Sequence, residues 1–299
     1  MAVIEVENLA KRYGEIEAVR DVTLQVEEGE VFALLGPNGA GKSTTVEILE
    51  GHRARSSGRV SVLGVDPETA GREFRDRIGI VLQSSGIEDE LTVREALEFY
   101  GATYTNPRDP MEVLEMVGLA EAVDRRVSAL SGGQQRRIDL GLGLVGRPEL
   151  LFLDEPTTGF DPSARRQSWE LIAGLRELGT TIVLTTHYME EAEVLADRVG
   201  VIVRGEIVAG GRPDDLMDAA GDTVISFRID TGTDMAGFPV ADSERIGDEV
   251  ICRTTTPTQT LHDVTGWALG RGVELTDLQA TRPSLEDVYL ELAHEEQPS

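Results

Sequence analysis

A glycine-rich loop that follows a short apolar run is the feature that most constrains the fold of this chain. Val31–Leu35 form the run, and Gly36, Gly41, Lys42 and Ser43 fit the pattern G-x-x-x-x-G-K-[ST]. Between a strand and a helix, backbone N–H groups of such a loop face one concavity, which suits a polyphosphate. A lysine at this position reaches the β and γ phosphates, and the hydroxyl after it can bind Mg²⁺. The loop therefore predicts a nucleotide-binding α/β domain.

The composition makes a chance match to this pattern improbable. Lysine occurs only twice in the 299 residues, at Lys11 and Lys42, whereas the other basic residues are all arginine. With this composition, accidental matches are expected on the order of 0.003 times per chain. The phosphate-binding interpretation is therefore favoured over an ordinary glycine-rich turn.

Short strands recur along the first two thirds of the chain. Val3–Glu7 and Val22–Val26 alternate apolar and polar residues, which is typical of half-buried strands. Continuous apolar or β-branched runs, separated by helical stretches, lie at Leu150–Leu153, Thr181–Thr185 and Val199–Val203. Such runs predict a buried, largely parallel sheet. We therefore predict an α/β domain over residues 1–220, with a β-rich N-terminal part and a helical insert at about 88–147.

A second, smaller domain is predicted over residues 221–299. The sequence Gly-Gly-Arg-Pro at 210–213 interrupts the first pattern, and new segments begin beyond it. We expect strands at Val224–Ile229, at Glu249–Arg253 and near 273–278, with a helix near 258–270. Ser284 and Asp287 have the spacing of a capping box and predict a last helix. The second domain is thus expected to be α+β.

The charge of the chain limits its partners. It carries 54 acidic and 28 basic residues, a net charge of −26, which argues against a surface that binds nucleic acid or anionic lipid. The apolar runs are far shorter than the roughly 18 residues of a membrane-spanning helix. The first eight residues lack the basic and long apolar regions of a signal peptide. With Cys252 as the single cysteine, we expect a cytosolic protein that has no intramolecular disulfide and binds no nucleic acid.

Two further motifs follow the glycine loop. The run Leu150–Leu153 ends in Asp154 and Glu155, carboxylates that can bind Mg²⁺ and orient water beside a nucleotide. Some residues earlier, Leu-Ser-Gly-Gly-Gln occupies 130–134 and predicts a second phosphate-binding helix N-terminus. This sequence resembles the signature motif of the ATP-binding cassette (ABC) ATPases. The resemblance covers about residues 3–215, and it implies ATP and Mg²⁺ as ligands.

The resemblance assigns binding roles to individual residues. It implies that ATP binds to the loop residues Gly36, Pro37, Asn38, Gly39, Ala40, Gly41, Lys42, Ser43 and Thr44. Tyr13 is similar to the aromatic residue that stacks on adenine in this family. Gln83 is similar to the glutamine that contacts Mg²⁺, and the other implied Mg²⁺ ligands are Ser43 and Asp154.

The catalytic residues that the resemblance implies are Lys42, Gln83, Glu155 and His187. Lys42, together with Mg²⁺, neutralises the developing charge on the phosphates. Glu155 positions the attacking water, and His187 is similar to the histidine that contacts the γ-phosphate.

The resemblance also implies that two cassettes face each other head to tail. Each ATP then lies between the glycine loop of one copy and Ser131, Gly132, Gly133 and Gln134 of the other copy. Asp161 is expected at the interface between the copies, where Phe160 replaces the leucine that is usual in the family. Because the signature and Glu155 are both intact, we expect a homodimer with two active sites.

A separate membrane partner is implied by the same family. Its glutamine loop and helical insert receive a helix from an integral-membrane permease. Residues 282–292 resemble the closing segment of ATPases in the ABC-2 exporter group, which includes drug exporters of the daunorubicin-resistance type. We therefore expect an exporter ATPase that lies at the inner face of the cell membrane and contacts the membrane through the permease only.

The alternative is a cytosolic ABC ATPase that acts on a macromolecular complex. ABC proteins that act on ribosomes usually carry two cassettes in one chain, whereas this chain has one glycine loop and one signature. Chromosome-structural ABC proteins carry long heptad arms, which are missing from the interval 42–129. A P-loop kinase or GTPase does not explain residues 130–134 or His187. A transport ATPase is therefore favoured.

Overall fold

The computed structural model describes residues 1–82, 86–219 and 221–295. The chain divides into two compact units, Met1–Pro213 and Asp214–Ser299. Gln83 lies outside the described residues. Within the described part of the chain, no helix is long and apolar enough to span a bilayer.

The first unit contains a nine-stranded sheet and seven α-helices in its described part. The strands are β1 (Ala2–Tyr13), β2 (Ile16–Glu27), β3 (Val31–Leu35), β4 (Ser57–Val62), β5 (Ile78–Val81), β6 (Leu150–Asp154), β7 (Thr181–Thr186), β8 (Arg198–Val203) and β9 (Glu206–Gly211). The helices are α1 (Lys42–Leu49), α2 (Arg72–Arg77), α3 (Val93–Gly101), α4 (Pro110–Met116), α5 (Gly132–Leu144), α6 (Pro162–Glu177) and α7 (Met189–Leu195).

The sheet combines a parallel core with an antiparallel margin. Its strand order is β4-β1-β2-β9-β8-β3-β7-β6-β5. Strands β8, β3, β7, β6 and β5 run parallel to one another, whereas β9 pairs antiparallel with β8, and β1 pairs antiparallel with β2 and β4. Every residue of β3 and β7 is buried, as expected for strands covered on both faces. The predicted α/β class, with a β-rich N-terminal part and a parallel core, is confirmed.

The helical region lies between β5 and β6 and contains α3, α4 and α5. Side chains of Thr92 and Ser131 cap α3 and α5, each through a capping box. Helix α5 lies very close to β5. A Cβ at Gly79 would be only 2.1 Å from the Gly143 carbonyl oxygen. Glycine at both positions therefore lets α5 pack tightly on the edge of the sheet.

The second unit is an antiparallel sheet with a helix against one face. Its elements are α8 (Pro213–Ala219, beginning at the boundary), β10 (Thr223–Arg228), β11 (Ser243–Ile246), β12 (Glu249–Thr254), α9 (Pro257–Arg271), β13 (Thr276–Thr281) and α10 (Leu285–Glu295). The strand order is β11-β12-β10-β13. Phe227, Val250 and Cys252 pack with Val264 of α9 in a small core. Burial there raises the pKa of the Cys252 thiol to about 11, so this cysteine is unreactive near neutral pH.

One strand of the second unit differs from its predicted position. We predicted a strand near 273–278, but β13 covers Thr276–Thr281. Val273 and Leu275, at the start of the predicted range, pack against the core before the strand begins. All six residues of β13 are exposed, so no apolar alternation marks its position in the sequence.

Candidate functional site

The glycine loop joins β3 to α1 and brings backbone atoms unusually close together. A Cβ at Gly36 would lie 2.3 Å from the Ile202 carbonyl oxygen. Gly41 has a φ of 108°, and a Cβ there would lie 2.5 Å from the Ala18 carbonyl oxygen. Both positions therefore require glycine. Ser43 and Thr44 follow in the first turn of α1, where the helix N-terminus favours a negatively charged ligand.

Lys42 is buried beneath this loop, with only 5% of its surface exposed. Its Nζ donates hydrogen bonds to the carbonyl oxygens of Gly36 at 2.7 Å and Pro37 at 3.2 Å. The same Nζ lies 3.7 Å from Glu155 Oε1. Burial lowers the pKa of Lys42, and the charges of Glu155 and Asp154 oppose that shift. The ammonium is thus held at the loop by oxygen atoms on two sides.

Asp154 and Glu155 lie where β6 ends, beside β7. Thr185 Oγ1 donates to Asp154 Oδ1 at 2.5 Å, and both Oγ1 and the carbonyl oxygen of Thr185 lie 3.1 Å from the Glu155 backbone N. Thr158 Oγ1 donates to Glu155 Oε2 at 3.1 Å. Glu155 also has a φ of 45°, which is rare for a residue with a side chain and is common at functional sites.

His187 follows β7 and reaches the same carboxylate. Its Nδ1 lies 3.3 Å from Glu155 Oε1, and its ring packs on Tyr188 with centroids 4.1 Å apart. The structure therefore brings together three of the four residues that were predicted to be catalytic: Lys42, Glu155 and His187. The fourth, Gln83, lies outside the described residues.

The other predicted site residues lie on separate elements. Tyr13 ends β1 and is partly exposed, with Lys11 Nζ at 5.0 Å and Arg53 Cζ at 5.4 Å from its ring centroid. Ser131 is the N-cap of α5, where its Oγ accepts from the Gln134 N–H at 3.3 Å. Gly132 and Gly133 form the first turn of that helix.

Asp161 caps the helix that follows the Glu155 segment. Its Oδ1 accepts from the backbone N–H groups of Ser163 at 2.8 Å and Ala164 at 2.9 Å. These two bonds stabilise the start of α6.

Two buried charged residues contact the segment after Glu155 and were missed as site residues by the sequence analysis. Arg136 Nε donates to the Pro156 carbonyl oxygen at 2.9 Å. Glu191 is fully buried, and its Oε1 accepts from Thr157 Oγ1 at 2.8 Å and from Trp169 Nε1 at 3.2 Å. Burial raises the pKa of Glu191, although these hydrogen bonds oppose the shift. The only sequence signal for Arg136 is its place two residues after Gln134.

Glu50 is a third buried charged residue that the sequence analysis missed. It follows α1, is 4% exposed and lies with Oε2 3.3 Å from His52 Nδ1. Burial, with smaller contributions from the charges of Asp154 and Glu47, raises the pKa of Glu50 to about 8. Its carboxyl group is therefore largely neutral at pH 7.

Comparison with protein families gives two matches along the chain. Residues 19–158 match the family described as ABC transporter. Residues 223–284 match the family described as ABC transporter domain-containing protein-like, C-terminal domain.

Several curated proteins resemble the chain over nearly its whole length. It is 39% identical to the daunorubicin resistance ATP-binding protein DrrA2 of Streptomyces coeruleorubidus, over 97% of this chain and 94% of the relative. It is 40% identical to the Nod factor export ATP-binding protein I of Rhizobium etli, over 99% and 95% of the two chains. The linearmycin resistance ATP-binding protein LnrL of Bacillus subtilis is 35% identical, over 97% and 98%.

Solved structures resemble about seven tenths of the chain. An ATP-binding cassette of an ABC transporter in its ADP conformation is 26% identical with a TM-score of 0.66, over 72% of this chain and 92% of that chain. A dimeric cassette in a post-hydrolysis state, bound to ADP and Pi, is 27% identical with a TM-score of 0.62, over 70% and 98%.

We expect Glu50→Gln to change how the stability of the protein depends on pH. The folded-state pKa of about 8 lies above the value of about 4.3 for a free glutamate, so the folded state binds the proton more tightly. The stability that protonated Glu50 contributes is complete below about pH 4 and is lost as the pH rises to about 8. Glutamine keeps a neutral group at all pH values. The variant should therefore exceed the wild type in unfolding free energy by several kcal/mol at pH 8, but by only about 1 kcal/mol at pH 5.

Denaturant unfolding at both pH values measures this difference. Glu15→Gln, at an exposed position in the turn between β1 and β2, is the control and should follow the wild type. Equal unfolding free energies for Glu50→Gln and the wild type at pH 8 contradict the prediction.

Proposed function

The chain belongs to the ABC transporter family, and on this premise we propose that it is the ATP-hydrolysing subunit of an ABC-2 type exporter. The observation that carries the proposal is the convergence of charged groups on Glu155. Its Oε1 lies 3.7 Å from Lys42 Nζ and 3.3 Å from His187 Nδ1. A buried cation beneath a glycine loop, a carboxylate and an imidazole together support phosphate binding and water activation.

ATP binding would use the loop from Gly36 to Thr44 and its lysine. Backbone N–H groups of the loop and of the start of α1 would bind the phosphate oxygens. Lys42 Nζ, now bonded to two loop carbonyl oxygens and near Glu155, would turn to the β and γ phosphates. We assign the adenine to Tyr13, whose partly exposed ring offers a stacking surface.

Ser43, Gln83 and Asp154 are the residues that we propose to hold Mg²⁺. The Asp154 carboxylate is oriented by its hydrogen bond from Thr185. Carboxylate and hydroxyl oxygens are the hard ligands that Mg²⁺ takes, together with waters and substrate phosphates. The described donors, Ser43 and Asp154, therefore suit this ion. When bound, Mg²⁺ would neutralise charge on the phosphates.

Hydrolysis would depend on Glu155 and His187. Thr158 holds one oxygen of the Glu155 carboxylate, so the other oxygen is oriented toward Lys42 and His187. We propose that Glu155 orients the attacking water and accepts its proton, and that His187 contacts the γ-phosphate.

A second copy of the chain would complete each site. Ser131, Gly132, Gly133 and Gln134 form an exposed or partly exposed helix N-terminus, a good partner for the γ-phosphate of ATP held by another copy. We propose a head-to-tail homodimer with Asp161 at the interface. The dimeric cassette bound to ADP and Pi among the similar structures supports this arrangement.

Export through a separate permease is proposed from the relatives. The names of two of them refer to resistance and that of a third to export, and all three match this chain over nearly its full length. We propose that the chain works at the inner face of the cell membrane and is held there by an integral-membrane permease. No part of the proposal requires a nucleic-acid partner.

Glu155→Gln should bind ATP but lose turnover. The glutamine keeps the shape of the side chain but removes the proton acceptor, so we expect steady-state ATPase activity to fall by about 100-fold or more. Phosphate release measures activity, and binding of a fluorescent ATP analogue measures affinity. Glu170→Gln, at an exposed position of α6, is the control and should keep normal activity. Near-normal activity of Glu155→Gln would remove Glu155 from catalysis.

Ser131→Arg should prevent ATP-dependent dimerisation. The large cation would block the helix N-terminus that receives the phosphate of the other copy. In the Glu155→Gln background, light scattering with ATP should show a dimer for Ser131 and a monomer for Ser131→Arg, with similar ATP binding. Ser57→Arg, at an exposed position of β4, is the control. An unchanged dimer in the Ser131→Arg variant counts against the head-to-tail arrangement.

The permease proposal is tested by purification from detergent-extracted membranes. We expect the tagged chain to be recovered with a polytopic membrane protein, and the ATPase activity of the complex to exceed that of the isolated chain. Repeated recovery of the chain alone, or with a cytosolic macromolecular complex, contradicts the transport assignment.

A further inference from the structure

Arg136 is a buried arginine that links three segments of the first unit. It lies in α5, four residues after the N-terminus of that helix, and its side chain is 10% exposed. Its Nε donates to the Pro156 carbonyl oxygen at 2.9 Å, and its Nη1 donates to the Leu82 carbonyl oxygen at 2.6 Å. Pro156 directly follows Glu155, and Leu82 directly follows β5.

Burial of a guanidinium group needs compensation, which carbonyl oxygens and the Asp139 carboxylate supply at Nε and Nη1, whereas Nη2 has no hydrogen-bond partner among the described residues. Desolvation lowers the pKa of Arg136, and the charges of Asp139, Glu191 and Asp154 oppose this shift. Asp139, one turn along α5, lies 3.6 Å from Nη1. Because arginine presents several N–H donors in a rigid plane, one side chain can bond two separate backbone segments at once. The bonds from Nε to the Pro156 carbonyl oxygen and from Nη1 to the Leu82 carbonyl oxygen therefore join α5 to the segments that follow β6 and β5.

The Pro156 carbonyl is well placed to set the position of Glu155. Glu155 has the strained φ of 45°, and its carboxylate is bonded to Thr158, at the other end of the same short segment. Thr157, between them, is bonded to the buried Glu191. A shift of the Pro156 peptide would therefore move the Glu155 backbone, and with it the carboxylate oxygen near Lys42 and His187.

We propose that Arg136 is a positioning residue for hydrolysis, which fixes the peptide after Glu155 relative to α5, the helix that Ser131 caps. The inference rests on the function proposed above. A movement of α5 relative to β6 would therefore shift Glu155 through the guanidinium group of Arg136. The effect belongs to the chemical step rather than to ATP binding, because Arg136 contacts neither the glycine loop nor Lys42 in the described residues.

The adjacent residue, Arg137, offers a matched comparison on the same helix. Its Nη2 donates to Gln167 Oε1 at 3.0 Å, and its Nη1 lies 3.5 Å from the Val117 carbonyl oxygen. These contacts join α5 to α6 and to the end of α4, away from the peptide after Glu155. A general requirement for arginine in α5 would therefore affect both positions equally.

The test compares Arg136→Gln, Arg136→Lys and Arg137→Gln in the full chain by steady-state ATPase kinetics and thermal unfolding. We expect Arg136→Gln to lower kcat by about 10-fold or more while the KM for ATP stays within about twofold, because the lost contact acts on the transition state. Arg136→Lys should recover part of kcat, since an ammonium group can still bond one carbonyl oxygen. Arg137→Gln should keep the kcat of the wild type.

Several outcomes overturn the inference. They are an unchanged kcat for Arg136→Gln, a rise in KM that matches the fall in kcat, or an equal loss in Arg137→Gln. If Arg136→Gln does not fold, Arg136→Lys decides: a reduced kcat with unchanged KM supports the inference, and full activity overturns it. Failure of both variants to fold also overturns it, since the residue would then serve the fold alone.

Adding Glu155→Gln to the same kinetic comparison separates this inference from the proposed function. If the wild type hydrolyses ATP, Glu155→Gln does not, and Arg136→Gln is fully active, the positioning role is wrong and the proposed function stands. If the wild type does not hydrolyse ATP, both are wrong.

Discussion

The buried ammonium group of Lys42 is the interaction on which the site depends. A lysine that is 5% exposed is stable only where oxygen atoms replace the water it has lost. The Gly36 and Pro37 carbonyl oxygens supply two of these contacts, and the Glu155 carboxylate adds charge compensation. The ammonium group of a lysine is a compact charge, whereas the guanidinium group of arginine, the usual basic residue in this chain, is planar and larger.

The order of the parallel strands explains why these groups meet. Strand β7 lies between β3 and β6, so the segments after all three strands emerge side by side at one edge of the sheet. Lys42 follows the loop after β3, Glu155 follows β6 and His187 follows β7. Thr185, near the end of the central strand, bonds both Asp154 and the Glu155 backbone. The sheet therefore sets the distances between Lys42, Glu155 and His187. Thr185 of β7 then orients the end of β6 through its hydrogen bonds.

The sequence predicted the parts of this arrangement that depend on local pattern. Continuous apolar runs marked β3 and β6, because strands buried on both faces need apolar residues at every position. The contacts of Arg136 and Glu191 were not predictable, since each joins positions 20 or more residues apart. The burial of Glu50 was not predictable either, because its neighbours in sequence do not show which residues cover the end of α1. The exposed β13 gave no apolar signal at all.

The short segment of residues 155–158 shows how distant elements act on one carboxylate. Arg136 of α5 holds its Pro156 carbonyl, Glu191 of α7 holds its Thr157 hydroxyl, and Thr158 bonds Glu155 itself. Each bond is buried or partly buried, where its loss leaves a polar group without compensation and is therefore costly. Because α5 begins at the signature and α7 follows His187, the same segment is tied to both ends of the proposed site. If Glu155 is the catalytic carboxylate that we propose, movement of either helix would shift it, and the proposed dimerisation on ATP would reach the hydrolysis step through these bonds.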